Sequence, residues 1–141
     1  MAKEQAELTA RRRQEEAELA VRQKQEEAER VVRQKQEKEA SCLNDLQCSF
    51  KKFSVDAEID CSRPIERLAK NNFEWTDTHW YEKKFDHIRW SDPSRKVVTY
   101  IGDKIKYQNG FGAWTYYTYE CEFDTVNKKV LDVRAHEGRL P

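Results

Sequence analysis

The first 40 residues contain no aromatic residue, no Gly, no Pro and no Cys. Without aromatics or more than a few long aliphatics, such a segment buries too little apolar area to offset chain entropy, which excludes a globular core there. Without Gly or Pro it also lacks the residues that interrupt helices. The whole chain lacks an excess charge: 26 Lys+Arg stand against 26 Asp+Glu, a formal net charge of +0. That balance argues against binding nucleic acid or anionic membranes through a surplus of cations. No apolar run approaches the roughly 20 residues of a membrane span, and no signal peptide is visible. Cysteine pairs at zinc spacing are missing too. The four cysteines are spaced by 6, 13 and 60, and His79, His87 and His136 stand singly, so no metal site is expected. No paired-carboxylate, Ser/His/Asp or Cys/His arrangement follows from spacing, and there is no Gly-rich phosphate loop. His79 and His87 lie near Glu82 and Asp86, ordinary neighbours in a chain that is 37% charged. Neither catalysis nor a cofactor is expected.

What the first 40 residues do contain is charge, ten basic and ten acidic residues, with Ala, Gln and Val. These are strong helix formers on a fully solvated surface. The segment repeats: Arg13-Gln14-Glu15-Glu16-Ala17-Glu18 returns as Lys24-Gln25-Glu26-Glu27-Ala28-Glu29, an offset of 11 residues. Eleven residues make three turns at about 3.67 per turn, so Ala6, Ala10, Ala17, Val21, Ala28 and Val32 line one narrow stripe. Leu8 and Leu19 fall opposite it. A single solvated helix supported by Glu–Lys and Glu–Arg pairs is the simpler reading. The alternative is a helical assembly of several chains, a coiled-coil scaffold for which the thin Ala/Val seam supplies at most weak self-association. At about 1.5 Å per residue, forty-odd residues reach about 60–70 Å, the length of a spacer. Arg11-Arg12-Arg13 reads as a solvated face.

Residues 42–141 follow this 1–41 spacer as the globular domain, and all 16 aromatics (4 Trp, 6 Tyr, 6 Phe) lie after position 49. The means of stapling it lie in the same residues: Cys42, Cys48, Cys61 and Cys121, an even count that reads as two disulfides. Three pairings are possible; one of them closes Cys42 on Cys48 in a short loop and leaves Cys61 with Cys121. Ser62 with Pro64 looks like the start of a short helix running to Lys70, with Ile65, Leu68 and Ala69 on its apolar face. The chain from Phe73 to Trp80 reads as irregular. Strands are expected at about 84–90, 96–108, 113–124 and 129–136, with turns at Asp92-Pro93-Ser94 and Val126-Asn127-Lys128. Alternation in the third strand puts Tyr117, Tyr119, Cys121 and Phe123 on one face, and Leu131, Val133 and Ala135 form the buried face of the last. Gly102 inside the second long strand is a bulge or a hairpin tip. The sum is an α+β domain: a short helix packed on an antiparallel β-meander.

Gln108, Asn109, Gly110, Phe111 and Gly112 form the candidate recognition loop, since function concentrates on loops. The simpler reading is a turn with positive φ at Gly110 and Gly112 and Phe111 folded back on the sheet. Among Trp75, Trp80, Trp90 and Trp114, most belong in the core and one or two on an outer face, where an exposed aromatic strip would suit a protein or glycan partner.

The stretch Tyr107-Gln108-Asn109-Gly110-Phe111-Gly112-Ala113, followed by Tyr119-Glu120-Cys121-Glu122-Phe123, resembles a motif of small bacterial domains. In that group a Q-N-[GS]-F-G-A turn joins two strands, the second strand carries a Cys, and an upstream Cys precedes a short helix. Here that upstream element is Cys61-Ser62-Arg63-Pro64-Ile65-Glu66-Arg67-Leu68-Ala69. Phe73-Glu74-Trp75-Thr76-Asp77 and Gly138-Arg139-Leu140-Pro141 are similar to a narrower subgroup, membrane-anchored envelope proteins with a Lys/Glu/Ala-rich spacer before the domain. The resemblance covers about positions 42–141 and carries no known activity. It implies a continuous strand through Gly102, hence a bulge there. It also implies the periplasmic side of a bacterial envelope, reached through an anchor outside this chain; a cytosolic setting would put both disulfides in doubt. The expectation is a non-enzymatic binding or structural module for a protein partner. Its rivals are an oligomeric helical scaffold and an envelope enzyme inhibitor acting through Asn109–Gly112.

Overall fold

A computed structural model describes residues Met1–Pro141, in two compact units, Met1–Ala40 and Ser41–Pro141. Helix α1 spans Ala2–Asn44, and every residue of the first unit is exposed. The Ala/Val stripe is therefore solvated within the chain, with Val21 and Val32 both more than half exposed. Arg30 and Glu27, at 3.8 Å, illustrate the weak surface pairing that decorates such a helix. No helix is long and apolar enough to cross a membrane.

The second unit is α+β. Helix α2, Leu46–Glu66, lies on an antiparallel sheet of β1 (Phe73–Trp75), β2 (His87–Asp92), β3 (Val97–Gln108), β4 (Trp114–Asp124) and β5 (Lys129–Glu137). Strand β3 is central. It pairs with β4, which pairs with β5; on its other side it pairs with β2 along its first half and β1 along its last residues.

Helix α2 corrects the expected short helix at Ser62–Lys70. It begins after Asp45, whose side chain accepts from the Cys48 N–H at 2.9 Å as an N-cap. Ser49, Phe53, Ala57, Cys61 and Ile65, spaced by four, form its buried face. Ser62 does not cap: its hydroxyl turns back to the Glu58 carbonyl inside the helix. Pro64 lies inside the last turn, where it removes the N–H that would donate to the Asp60 carbonyl, and the helix stops two residues later at Glu66. Two other expectations change. Phe73–Trp75 is a strand, not irregular chain. Leu131 is 44% exposed, because the β4–β5 register shifts between Glu122 and Phe123 and gives its inward place to Val130, opposite Phe123.

The core joins Phe53, Ala57 and Ile65 of α2 to Val98, Tyr100, Ile105 and Tyr107 of β3 and Tyr119 and Phe123 of β4. Through it runs the Cys61–Cys121 disulfide, both cysteines fully buried, tying α2 to β4. The second disulfide, Cys42–Cys48, bridges the break between α1 and α2, where the Ser49 hydroxyl also donates to the Cys42 carbonyl at 2.9 Å. Two disulfides suggest an oxidising, non-cytoplasmic location.

The expected bulge at Gly102 is present: the β3–β4 register shifts between Gly102 and Ile105. Its cause is a close approach. A Cβ on Gly102 would lie 1.9 Å from the Lys84 carbonyl oxygen and 2.7 Å from the Tyr119 ring. Tyr119 donates its hydroxyl to that same Lys84 carbonyl and accepts from the Lys104 N–H at 3.3 Å. Burial, reinforced by the carboxylates of Asp77, Asp86 and Asp103, keeps its phenol protonated far above the ordinary range despite the Lys104 N–H.

The bulge also delivers Asp103 to the C-terminal tail. Asp103, 6% exposed, accepts from Arg139 Nε at 3.3 Å and from the Leu140 N–H at 3.2 Å, and Lys104 Nζ lies 3.3 Å from its other oxygen. Burial alone would raise this carboxyl; the bonds from Arg139 and Leu140 and the charge of Lys104 outweigh it and hold it below the ordinary carboxylate value. On the outer face of the sheet Glu120 is held low chiefly by its bond from Arg89, then Arg134. A carboxylate whose pKa is lower folded than unfolded contributes stability above its unfolded value, about 4, that is lost as pH falls through the folded value. Urea midpoints should accordingly be level at neutral pH and fall below about pH 4. Asp103→Asn should lower the neutral plateau and flatten that fall; an unchanged profile would remove Asp103 from the account.

Candidate binding site

The β3–β4 connection is built by its own side chains. Asn109 opens it by donating its N–H to the Ala113 carbonyl at 2.8 Å. Its side-chain oxygen then accepts from the N–H groups of Phe111 (2.9 Å) and Ala113 (3.0 Å), an Asx arrangement that folds the loop on itself. Gln108 Nε2 donates to the Gly112 carbonyl at 3.1 Å, and Gly112 takes φ +85°, a conformation glycine adopts without strain. From the other side Asn72 Nδ2 donates to Gln108 Oε1 at 2.8 Å, Asn71 Nδ2 donates to the Gln108 carbonyl at 3.2 Å, and the Gln108 N–H donates to the Asn72 carbonyl at 2.9 Å.

The loop is thus fixed at both ends and across its middle, yet Phe111 at its tip is 100% exposed. This corrects the expectation that Phe111 folds back on the sheet. With both Asn109 side-chain bonds drawing the backbone into a tight turn, the ring is left without a neighbour to cover it. Positive φ is likewise needed at Gly112 alone; Gly110 has an ordinary backbone and open space around its Cα.

Beside the loop lies a cleft of ≈ 430 Å³. Gln108, Asn109 and Gly110 form one wall, and Leu68, Lys70 and Asn71, just after α2, form the other. Its floor is Tyr107, Thr115, Tyr117 and Ala135. The Tyr107 and Tyr117 rings pack at 4.7 Å, and Tyr107 donates its hydroxyl to the Ile65 carbonyl. Burial first, then Tyr117 and Glu66, push the Tyr107 phenol up, so it stays a neutral donor. Lys70 is the one charged lining residue. An apolar floor under an amide rim suits an uncharged side chain or ring held by a few hydrogen bonds.

Of the predicted site residues, the four cysteines are structural and pair as Cys42–Cys48 and Cys61–Cys121. Gln108, Asn109 and Gly110 are brought to the cleft; Phe111 and Gly112 stand outside its lining. Sequence reasoning missed the opposite wall and the two asparagines that brace the loop. The dipeptide Asn71-Asn72, directly after a helix end, was the available signal. Trp75 and Trp90 pack against the core, whereas Trp114 is 42% exposed and Trp80 95%.

Comparison with protein-family models, curated proteins and solved structures finds no match.

Proposed function

We propose that the chain is a non-enzymatic binding module of the bacterial envelope, displayed on a helical spacer, that engages a protein partner through the 108–112 loop. The observation that carries this reading is Phe111, fully exposed at the tip of a loop locked by Asn109, Gln108, Asn71 and Asn72. A fully exposed aromatic at a loop tip offers a partner apolar area to bury, and a preorganised loop loses little entropy when that happens. Buried aromatics of this kind dominate interface energetics. The partner therefore offers an apolar pocket of phenyl size; an enzyme cleft plugged by the loop is one form of it. The envelope setting is supported by the two disulfides and by the resemblance of the 107–123 stretch.

Phe111→Ala should abolish capture of the partner from envelope extract. The melting temperature should stay nearly unchanged, since an uncovered surface residue contributes within about 0.5 kcal/mol to stability. Undiminished capture by the variant overturns the reading.

A further inference from the structure

Helix α2 stops at Glu66, so the far end of the sheet's helix side lies beyond it. Tyr107 pairs with Thr115 and Tyr119 with Ala135, so Tyr107, Thr115, Tyr117 and Ala135 share one face there, the floor of the ≈ 430 Å³ cleft. The bonds that fix the cleft's walls leave particular groups unspent. Gln108 uses both ends of its amide, toward Gly112 and Asn72. Asn71 gives its Nδ2 to the Gln108 carbonyl and keeps its oxygen. Asn109 gives its oxygen to the N–H groups of Phe111 and Ala113 and keeps its Nδ2. The Tyr107 hydroxyl goes to the Ile65 carbonyl, whereas those of Thr115 and Tyr117 are open to solvent.

We infer that this cleft is a carbohydrate subsite that holds one uncharged sugar ring. A plain apolar side chain would cover the free amide and hydroxyl groups and leave them unpaired. An anion would meet the Asn71 oxygen, and the charge of Lys70 is offset by Glu137, which stands opposite Tyr117 on the same face. A hydroxyl both donates and accepts. Neighbouring hydroxyls of one sugar ring can therefore answer the Asn71 oxygen, the Asn109 amide and the hydroxyls of Thr115 and Tyr117, while the ring's C–H face lies on the aromatic floor and Leu68. Both asparagines are already held by the loop, so little entropy is lost on binding. Phe111 stands outside this lining, so sugar binding here is independent of the loop's partner.

Amide NMR spectra of the full chain, titrated with the uncharged tetrasaccharides cellotetraose and chitotetraose, test this. Saturable shifts are expected at the side-chain amides of Asn71 and Asn109 and at the backbone of Thr115 and Tyr117. Response to either sugar supports the subsite, and the sugar that binds shows whether the ring carries an acetamido group. A Thr115→Val/Tyr117→Phe double variant keeps the floor's shape and loses only the two hydroxyls. It should weaken binding about tenfold, with the melting temperature nearly unchanged. Trp80→Ala, which removes an exposed aromatic on the β1–β2 connection, should bind like the parent. No saturable shift with either sugar, an affinity indifferent to the double variant, or binding lost in Trp80→Ala would each overturn it.

Discussion

Gly102→Ala is expected to cost more than about 3 kcal/mol, at the upper end of what overpacking does to a core. The new methyl would have to occupy space 1.9 Å from a backbone oxygen, and a carbonyl cannot swing aside as the end of a lysine can. Two adjustments are open and both are expensive. Moving the Lys84 segment outward breaks the bond its carbonyl accepts from Tyr119 and leaves that buried hydroxyl's proton without its acceptor. Moving β3 breaks its register with β4 at the bulge. Gly110→Ala serves as the contrast: with nothing within 4 Å and no positive φ, it should change stability by no more than about 0.5 kcal/mol. Urea denaturation of the two variants is the measurement. Equal midpoints would show that the Lys84 segment is not held against the bulge.

Loss of the Cys61–Cys121 bond should be nearly as severe. It closes a loop of 60 residues, for which chain entropy gives about 4 kcal/mol, a large share of the stability of a domain this size. Cys42–Cys48 spans 6 residues and should contribute about 2 kcal/mol. Paired Cys→Ala variants compared by denaturant titration should keep that order, and the buried Cys61 and Cys121 add a packing loss on top. A larger effect from the Cys42/Cys48 pair would mean that the stability of the domain resides at the α1–α2 break and not between helix and sheet.

The long strands were legible because alternation is strong where one face is buried, as in Tyr119, Cys121 and Phe123. The bulge at Gly102 was legible because a glycine interrupts an otherwise regular run. The start of α2 was not. Its buried face includes Ser49 and Cys61, so periodicity is muted, while Ser62 and Pro64 together imitate a helix start. Strand β1 escaped because three residues are too few to show a period, and pairing with β3 defines them. Leu131 was misplaced because one inserted residue reverses the face of everything beyond it. In the candidate site, the loop residues stood out, but the exposure of Phe111 depends on where Asn71, Asn72 and Asn109 send their amides, and that is a tertiary outcome.

The position of the Cys61–Cys121 bond also sets how the domain answers a mechanical load. Everything from α2's last turns to the middle of β4, including β1, β2 and β3, lies inside one covalent ring. A pull applied between the chain's two ends would peel β5 and the tail from β4 but could not draw out the ring. At about 3.4 Å per residue, some 200 Å of slack stays locked until the sulfur–sulfur bond is broken. A domain tethered at one end and gripped at the other would therefore yield in a short first step and then hold.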